Sequence, residues 1–151
     1  MLASELQRLI SRKNNDIIKV LELEKTYSNG YKAINNLSFG VEQAQIFCLL
    51  GTNGAGKTTS FEILTNHIPK TSGTVKIQGQ QIPDFYKNSN QIGVCAQINT
   101  LWKSLTLRQH LRIYAKTRGL NGQEAEQVIL YLLDALQLEA YSQQKIAELS
   151  Q

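Results

Sequence analysis

Ile46-Phe47-Cys48-Leu49-Leu50 runs directly into Gly51-Thr52-Asn53-Gly54-Ala55-Gly56-Lys57-Thr58-Thr59, and the junction of these two stretches governs how the rest of the chain is read. The second stretch has the spacing Gly, four residues, Gly, Lys and a hydroxyl residue. Its glycines let main-chain N–H groups turn inward as an anion nest, suited to the β-phosphate of a nucleotide. Lys57 is expected on the β- and γ-phosphates, and the Thr58 hydroxyl on Mg²⁺. The first stretch reads as a buried strand, and Thr58 to Thr65 is competent to form a helix. That helix would point its positive end at the same anion. A strand, a glycine-rich turn and a helix in this order make nucleotide binding the leading expectation.

Composition sets the outer bounds. A chain of 151 residues with 42% hydrophobic and 19% charged residues has the make-up of a globular domain and is long enough for a core. The apolar run of five residues from Ile46 to Leu50 falls far short of the ~20 required to cross a bilayer. Membrane association is therefore expected through a partner. The net charge of +4 is scattered, and no stretch interleaves aromatics with a basic cluster, so no nucleic-acid partner is expected. Cys48 and Cys95 lie in apolar runs and read as small buried hydrophobes in a reducing compartment. His67 and His110 lack a second ligand at metal spacing.

Met1 to Lys13 places Leu2, Leu6, Leu9 and Ile10 on one side of a helix, with Arg8, Arg12 and Lys13 elsewhere. It lacks the apolar core and cleavage site of a signal peptide. A linker or docking helix over residues 1–16 is expected, with a membrane-surface helix as the alternative.

Beyond it, Ile17 to Glu24 is strand-like, Asn29-Gly30 signals a turn, and Leu37, Phe39 and Val41 alternate with polar or small residues, which predicts a hairpin. Thr71-Ser72-Gly73 reads as a turn before short strands around Val75 to Ile77 and near Gln80 to Ile82. Ile92 to Ala96 is expected as a second buried strand. From Leu105 the pattern becomes helical. Thr106 is placed as N-cap of a helix carrying Leu107, Leu111 and Tyr114 to one face and ending at Gly119, and another helix is expected from about Gln123 to Leu136. The resulting fold class is α/β, with a phosphate-loop core and an antiparallel β subdomain over residues 17–98, and an incomplete helical subdomain over 99–151.

These residues resemble the nucleotide-binding domain of ATP-binding cassette (ABC) transporters, with four features in the family's order across nearly all of residues 17 to 151. The loop from Gly51 to Thr59 is similar to the family's Walker A. Tyr27 matches the aromatic that stacks on adenine, with Tyr31 as the alternative stacker and a plain hairpin aromatic as the reading if neither does. Gln97 looks like the glutamine of the Q-loop, which by resemblance ligates Mg²⁺ and holds the attacking water. Leu101 to Leu111 is similar to the start of the helical subdomain in subfamily A, whose better-known members export lipids. Gln109 stands where several of those members carry Glu, and Ala44 where the family commonly has Gly.

The resemblance implies ATP and Mg²⁺ as ligands, transmembrane domains and a second nucleotide-binding domain in head-to-tail arrangement as partners, and a place on the cytoplasmic face of a membrane. Glu148-Leu149-Ser150-Gln151 looks like the opening of the signature motif, with Gln151 where the first Gly is usual. The family's Walker B aspartate and catalytic glutamate are expected after that motif. Ile129-Leu130-Tyr131-Leu132-Leu133-Asp134 superficially resembles Walker B, but it continues a helix-forming run without a turn and Ala135 follows Asp134. No catalytic residue is therefore assigned, and the sequence as read is truncated before Walker B: an ATP-binding part of a transporter ATPase. A soluble ABC ATPase without a transport role, or a regulatory module that binds ATP without hydrolysing it, are the alternatives.

Overall fold

The computed structural model describes residue 7 and residues 16–88, 92–95, 97 and 100–149. Nearly all of the helix expected over residues 1–16, and Ser150-Gln151 of the expected signature-motif opening Glu148-Leu149-Ser150-Gln151, lie outside the described residues. The chain divides into two compact units, Met1–Ile92 and Gly93–Gln151.

The first unit is built on a hairpin. Strand β1 (Asp16–Thr26) pairs antiparallel with β2 (Lys32–Glu42), and its other edge pairs antiparallel with β3 (Ser72–Ile77), which is followed by the short β4 (Gln80–Gln81). The sheet order is β2-β1-β3-β4. Val20 sits opposite Phe39 on one side and Val75 on the other, and Ile18 opposite Val41 and Ile77. These cross-strand sets put β-branched and aromatic side chains on one face, which is what holds an antiparallel sheet together.

Val20 and Leu23 are both fully buried although three residues apart, an odd spacing that strict alternation forbids. A bulge resolves the parity. The register shifts between Leu21 and Glu24 against β3 and between Val20 and Leu23 against β2. Glu22 takes φ 49 there and its N–H donates to Ser38 Oγ at 2.8 Å. Gly73 faces the bulge at φ +85, and a Cβ on it would stand 2.3 Å from Glu22 O. Gly73 is thus a strand glycine beneath a bulge, where the sequence suggests a turn; only an absent side chain lets the two main chains approach so closely.

Helix α1 (Lys57–Leu64) contributes Ile63 to the core, and α2 (Ile82–Asn88) contributes Ile82 and Phe85. The sequence pattern predicts no helix at α2, where Pro83 in the first turn is compatible with a helix start. Tyr86 spans the two helices by donating its hydroxyl to Leu64 O at 3.0 Å, and burial raises its phenol pKa.

Two expectations fail in this unit and at its border. Ile46–Leu50 is not a buried strand: it is irregular, with Ile46, Phe47, Cys48 and Leu50 exposed and no described strand paired to it. Its alternation is nonetheless strand-like. Phe47 stacks on Phe39 at 4.9 Å between ring centroids and 7° between planes, and with Leu49 it lines a groove of about 490 Å³ over the sheet, while Ile46 and Leu50 point away. Residues 92–95 likewise form no strand, Val94 and Cys95 being exposed; Ala96 lies outside the described residues. The physical reason is common to both: an apolar run becomes a buried strand only when another strand takes up its N–H and C=O groups. Cys48 and Cys95 are accordingly exposed thiols rather than buried hydrophobes.

The second unit is helical. Helix α3 (Leu107–Thr117) begins at Thr106, whose Oγ1 accepts from Gln109 N at 3.2 Å while Gln109 Oε1 accepts from Thr106 N at 2.8 Å. This reciprocal box satisfies two orphan donors. Gln109 serves it as Glu would, so standing where several subfamily A members carry Glu leaves the cap intact. Helix α3 ends before Gly119, at φ +83, and α4 (Gly122–Ala135) follows. Ala125, Ile129 and Leu133 recur at the four-residue spacing that lines one helix face, and they bury against Ala115, Leu107 and Leu111.

Tyr114, expected on the packed face, is half exposed. Glu126 accepts from Arg108 Nη2 at 2.5 Å and from Arg112 Nε at 2.6 Å, tying α4 to α3. The hydrogen bond from Arg112, then that from Arg108, holds the Glu126 carboxyl below its ordinary pKa.

The chain then passes through a 3₁₀ turn (Glu139–Tyr141) into α5 (Ile146–Leu149) and returns to the start of α3. Leu107 N donates to Gln144 O, and Ile146 N to Leu105 O. His110 is buried, with Nε2 accepting from Trp102 N–H at 2.9 Å. That bond requires an unprotonated Nε2, so His110 is a core residue that fastens the 101–105 loop. Asp134 is exposed on α4, as its helix-forming context predicts.

Candidate functional site: the phosphate loop and the tyrosine pair

The loop from Gly51 to Gly56 is shaped by two left-handed glycines, Gly54 at φ +82 and Gly56 at φ +81. Gly56 is the more constrained of the two. A Cβ there would lie 2.5 Å from Ala33 O and 3.1 Å from Ile34 Cγ1, so the loop rests directly on the backbone of β2. Sequence spacing identifies the glycine; the contact that requires it, with Ala33, comes only from the fold. Ala55 N donates to Thr52 O at 3.2 Å, which folds the tip back on itself.

Helix α1 opens at this point with Gly56 as N-cap and no side-chain cap. Ser60 N is the first to reach back, to Gly56 O at 2.8 Å, and Ser60 Oγ donates to the same carbonyl at 2.9 Å. Among the described residues, no backbone carbonyl accepts from the N–H groups of Lys57, Thr58 and Thr59. The first turn holds no acidic residue. Uncapped donors at the positive end of a helix are suited to an anion. Lys57 adds a full charge. Its Nζ donates to Gly51 O and Thr52 O, both at 2.7 Å, so the ammonium is held within the loop it serves. The donor set fits a polyphosphate, and Thr58, exposed in the first turn, offers a hydroxyl suited to a hard cation such as Mg²⁺.

Tyr27 is brought to the same place. It is half-buried at the start of the β1–β2 turn, and its hydroxyl lies 3.3 Å from Thr59 Oγ1. Lys25 Nζ stands 5.2 Å above its ring and donates to Pro69 O at 2.6 Å. Tyr31 lies nearly parallel to Tyr27, 17° between planes and 6.4 Å between centroids, and is 54% exposed. The link between Tyr27 and Thr59 has no signal in the sequence, because the two residues meet only when the hairpin folds over α1. Gln97 belongs to the second unit, where it is exposed in a bend.

A glycine loop closed on an uncapped helix, with a lysine inside it and an aromatic beside it, defines the class as a phosphate-loop nucleotide-binding domain. Comparison with known proteins narrows this. The family model for the ABC transporter matches residues 34–151. The chain is 39% identical over 144 residues to the retinal-specific phospholipid-transporting ATPase ABCA4 of Bos taurus, covering 93% of this chain and 6% of that protein. It is 34% identical over 143 residues to ATP-binding cassette sub-family A member 2 of Rattus norvegicus, covering 91% and 6%. It is 37% identical over 126 residues to the phospholipid-transporting ATPase ABCA3 of Rattus norvegicus, covering 81% and 7%.

Among solved structures, an ATP-binding subunit of an ABC transporter superposes with a TM-score of 0.72 at 26% identity, covering 87% of this chain and 55% of that one. The cbiO1 protein of Clostridium perfringens, part of the ABC transporter complex cbiONQ, gives 0.76 at 24% identity with the same coverage and supports the fold. The chain belongs to the ABC transporter family, as an ATP-binding domain most like those of subfamily A. It spans about half the length of these subunits and a small part of the full-length relatives.

Proposed function

We propose that this chain binds MgATP, and that it is the ATP-binding part of a transporter that couples nucleotide binding and hydrolysis to movement of a lipid across a membrane. The observation that carries the binding reading is the set of uncapped N–H groups of Lys57, Thr58 and Thr59 beside the Lys57 ammonium. In this reading the amides from Gly54 to Thr59 orient the phosphate chain, and Lys57 leaves the Gly51 and Thr52 carbonyls for the phosphates. The Thr58 hydroxyl holds Mg²⁺ and Tyr27 receives the adenine ring, while a role for Gln97 at the ion rests on the family resemblance alone. When bound, Mg²⁺ supplies charge neutralisation at the β- and γ-phosphates.

The lipid cargo is supported by the phospholipid-transporting relatives. Transmembrane domains and a second, head-to-tail nucleotide-binding domain are the partners, and the cytoplasmic face of a membrane is the location. Among the described residues no helix is long and apolar enough to cross a membrane.

Isothermal titration of the folded chain with MgATP tests the binding reading. Saturable heat is expected, with apparent affinity reduced roughly tenfold or more by Lys57→Ala, which removes a charge-assisted contact to phosphate. No heat from a folded sample would refute it. Co-purification with membranes rather than ribosomes tests the transport context against the soluble alternative.

A further inference from the structure

Tyr27 and Tyr31 differ in how much of each ring the protein already uses. Tyr27 has its hydroxyl on Thr59, the Lys25 ammonium over its ring and Tyr31 alongside. Lys25 is itself held by Pro69 O, so this arrangement is anchored at both ends. Tyr31 sits on a turn held by its own main-chain bonds. Tyr27 N donates to Tyr31 O at 2.9 Å, Gly30 N to Tyr27 O at 2.9 Å, and Tyr31 N to Asn29 Oδ1 at 3.0 Å. Next along β2, Lys32 pairs with Glu24 at 2.8 Å, and Glu24 also accepts from Ser72 Oγ at 2.9 Å. A ring more than half exposed is therefore carried on a tightly bonded turn, beside a ring tied to the phosphate-loop helix.

An exposed aromatic on such a support loses little conformational freedom when a flat ligand covers it. Tyr31, 17° from parallel with Tyr27 and 6.4 Å from it, has an exposed ring surface that adds π-contact to what Tyr27 gives a planar base. The gain grows with the size of the base, so a purine benefits more than a pyrimidine.

We propose that Tyr31 is a second nucleobase-binding ring of this chain, acting with Tyr27 as a two-ring platform that favours purine over pyrimidine nucleotides. The proposal rests on the nucleotide-binding reading above and deepens it. Tyr27 is the fixed member, positioned by Thr59 and Lys25, and Tyr31 is the member that adds contact when the base arrives.

The test is calorimetric titration of the full chain and of Tyr31→Ala and Tyr31→Phe with MgATP, MgUTP and magnesium tripolyphosphate, which carries the phosphates without a base. Tyr31→Ala is expected to weaken MgATP about tenfold, the scale of one base–aromatic stack. It should weaken MgUTP less and leave tripolyphosphate unchanged, while Tyr31→Phe binds all three as the unaltered chain does. Unchanged MgATP binding by Tyr31→Ala, with the unaltered chain still binding MgATP, would overturn the second ring and leave the nucleotide reading standing. Equal losses for MgATP and tripolyphosphate would also overturn it, because they assign Tyr31 a purely structural role. Absence of binding to all three ligands by the folded, unaltered chain would remove the nucleotide reading and this proposal together.

Discussion

The sheet of the first unit and the run Ile46–Leu50 are both rich in apolar residues, yet they end in opposite environments. In the sheet, Val20, Leu23, Phe39, Val41, Val75 and Ile77 are buried because each strand has a hydrogen-bonded neighbour and the helices α1 and α2 close the apolar face. In the run, Phe47 lies on Phe39, but Ile46 is fully exposed and Leu50 is 84% exposed. Apolarity thus sets a preference for burial, while strand pairing makes burial possible.

The contrast is put under most stress at the seam of the sheet. Gly73→Ala forces a Cβ to within 2.3 Å of Glu22 O at a φ of +85. A loss of about 3 kcal/mol or more is expected in urea denaturation. Leu23→Ala, at a fully buried site, should cost about 2–5 kcal/mol. Leu50→Ala, by contrast, should change stability by no more than about 0.5 kcal/mol. A loss at Leu50 comparable with that at Leu23 would mean that the run is packed in solution, and the distinction between the two regions would fall.

The helical unit supplies smaller effects. Thr106→Ala removes an N-cap whose side chain accepts from Gln109 N, and about 1 kcal/mol is expected. Gln109→Glu should preserve stability, since either side chain completes the box. The smallest effect concerns Glu126. Its pKa is depressed in the fold by Arg112 and then Arg108, so its contribution is present above the unfolded glutamate range and is lost as pH falls through the lower, folded value. The stability gap between the unaltered chain and Glu126→Gln should accordingly narrow on acidification and stay level across neutral pH. A gap that widened in acid would reverse the assigned sign.

Legibility follows the range of the interaction. The hairpin is readable because Asn29-Gly30 and the alternation of Leu37, Phe39 and Val41 are local signals. The cap at Thr106 is readable for the same reason, although Gln109 stands out in the sequence only as a departure from Glu, when its spacing from Thr106 also completes the box. The bulge at Glu22 and the role of Gly73 are not readable, because they depend on residues distant in the chain meeting across a strand pair. Burial expected for Cys48, Cys95 and Tyr114 fails on the same ground: the runs and faces that carry them are apolar, and what covers them is decided elsewhere.

At the candidate site the division is equally physical. Residue order alone determines the loop, since glycine spacing, a lysine and a hydroxyl residue are consecutive and their geometry is built by local φ and ψ. Long-range packing sets what stands around it: Ala33 O against Gly56 and Thr59 against Tyr27. Those contacts join segments that no local dihedral can bring together, and only the folding of the hairpin onto α1 makes them neighbours.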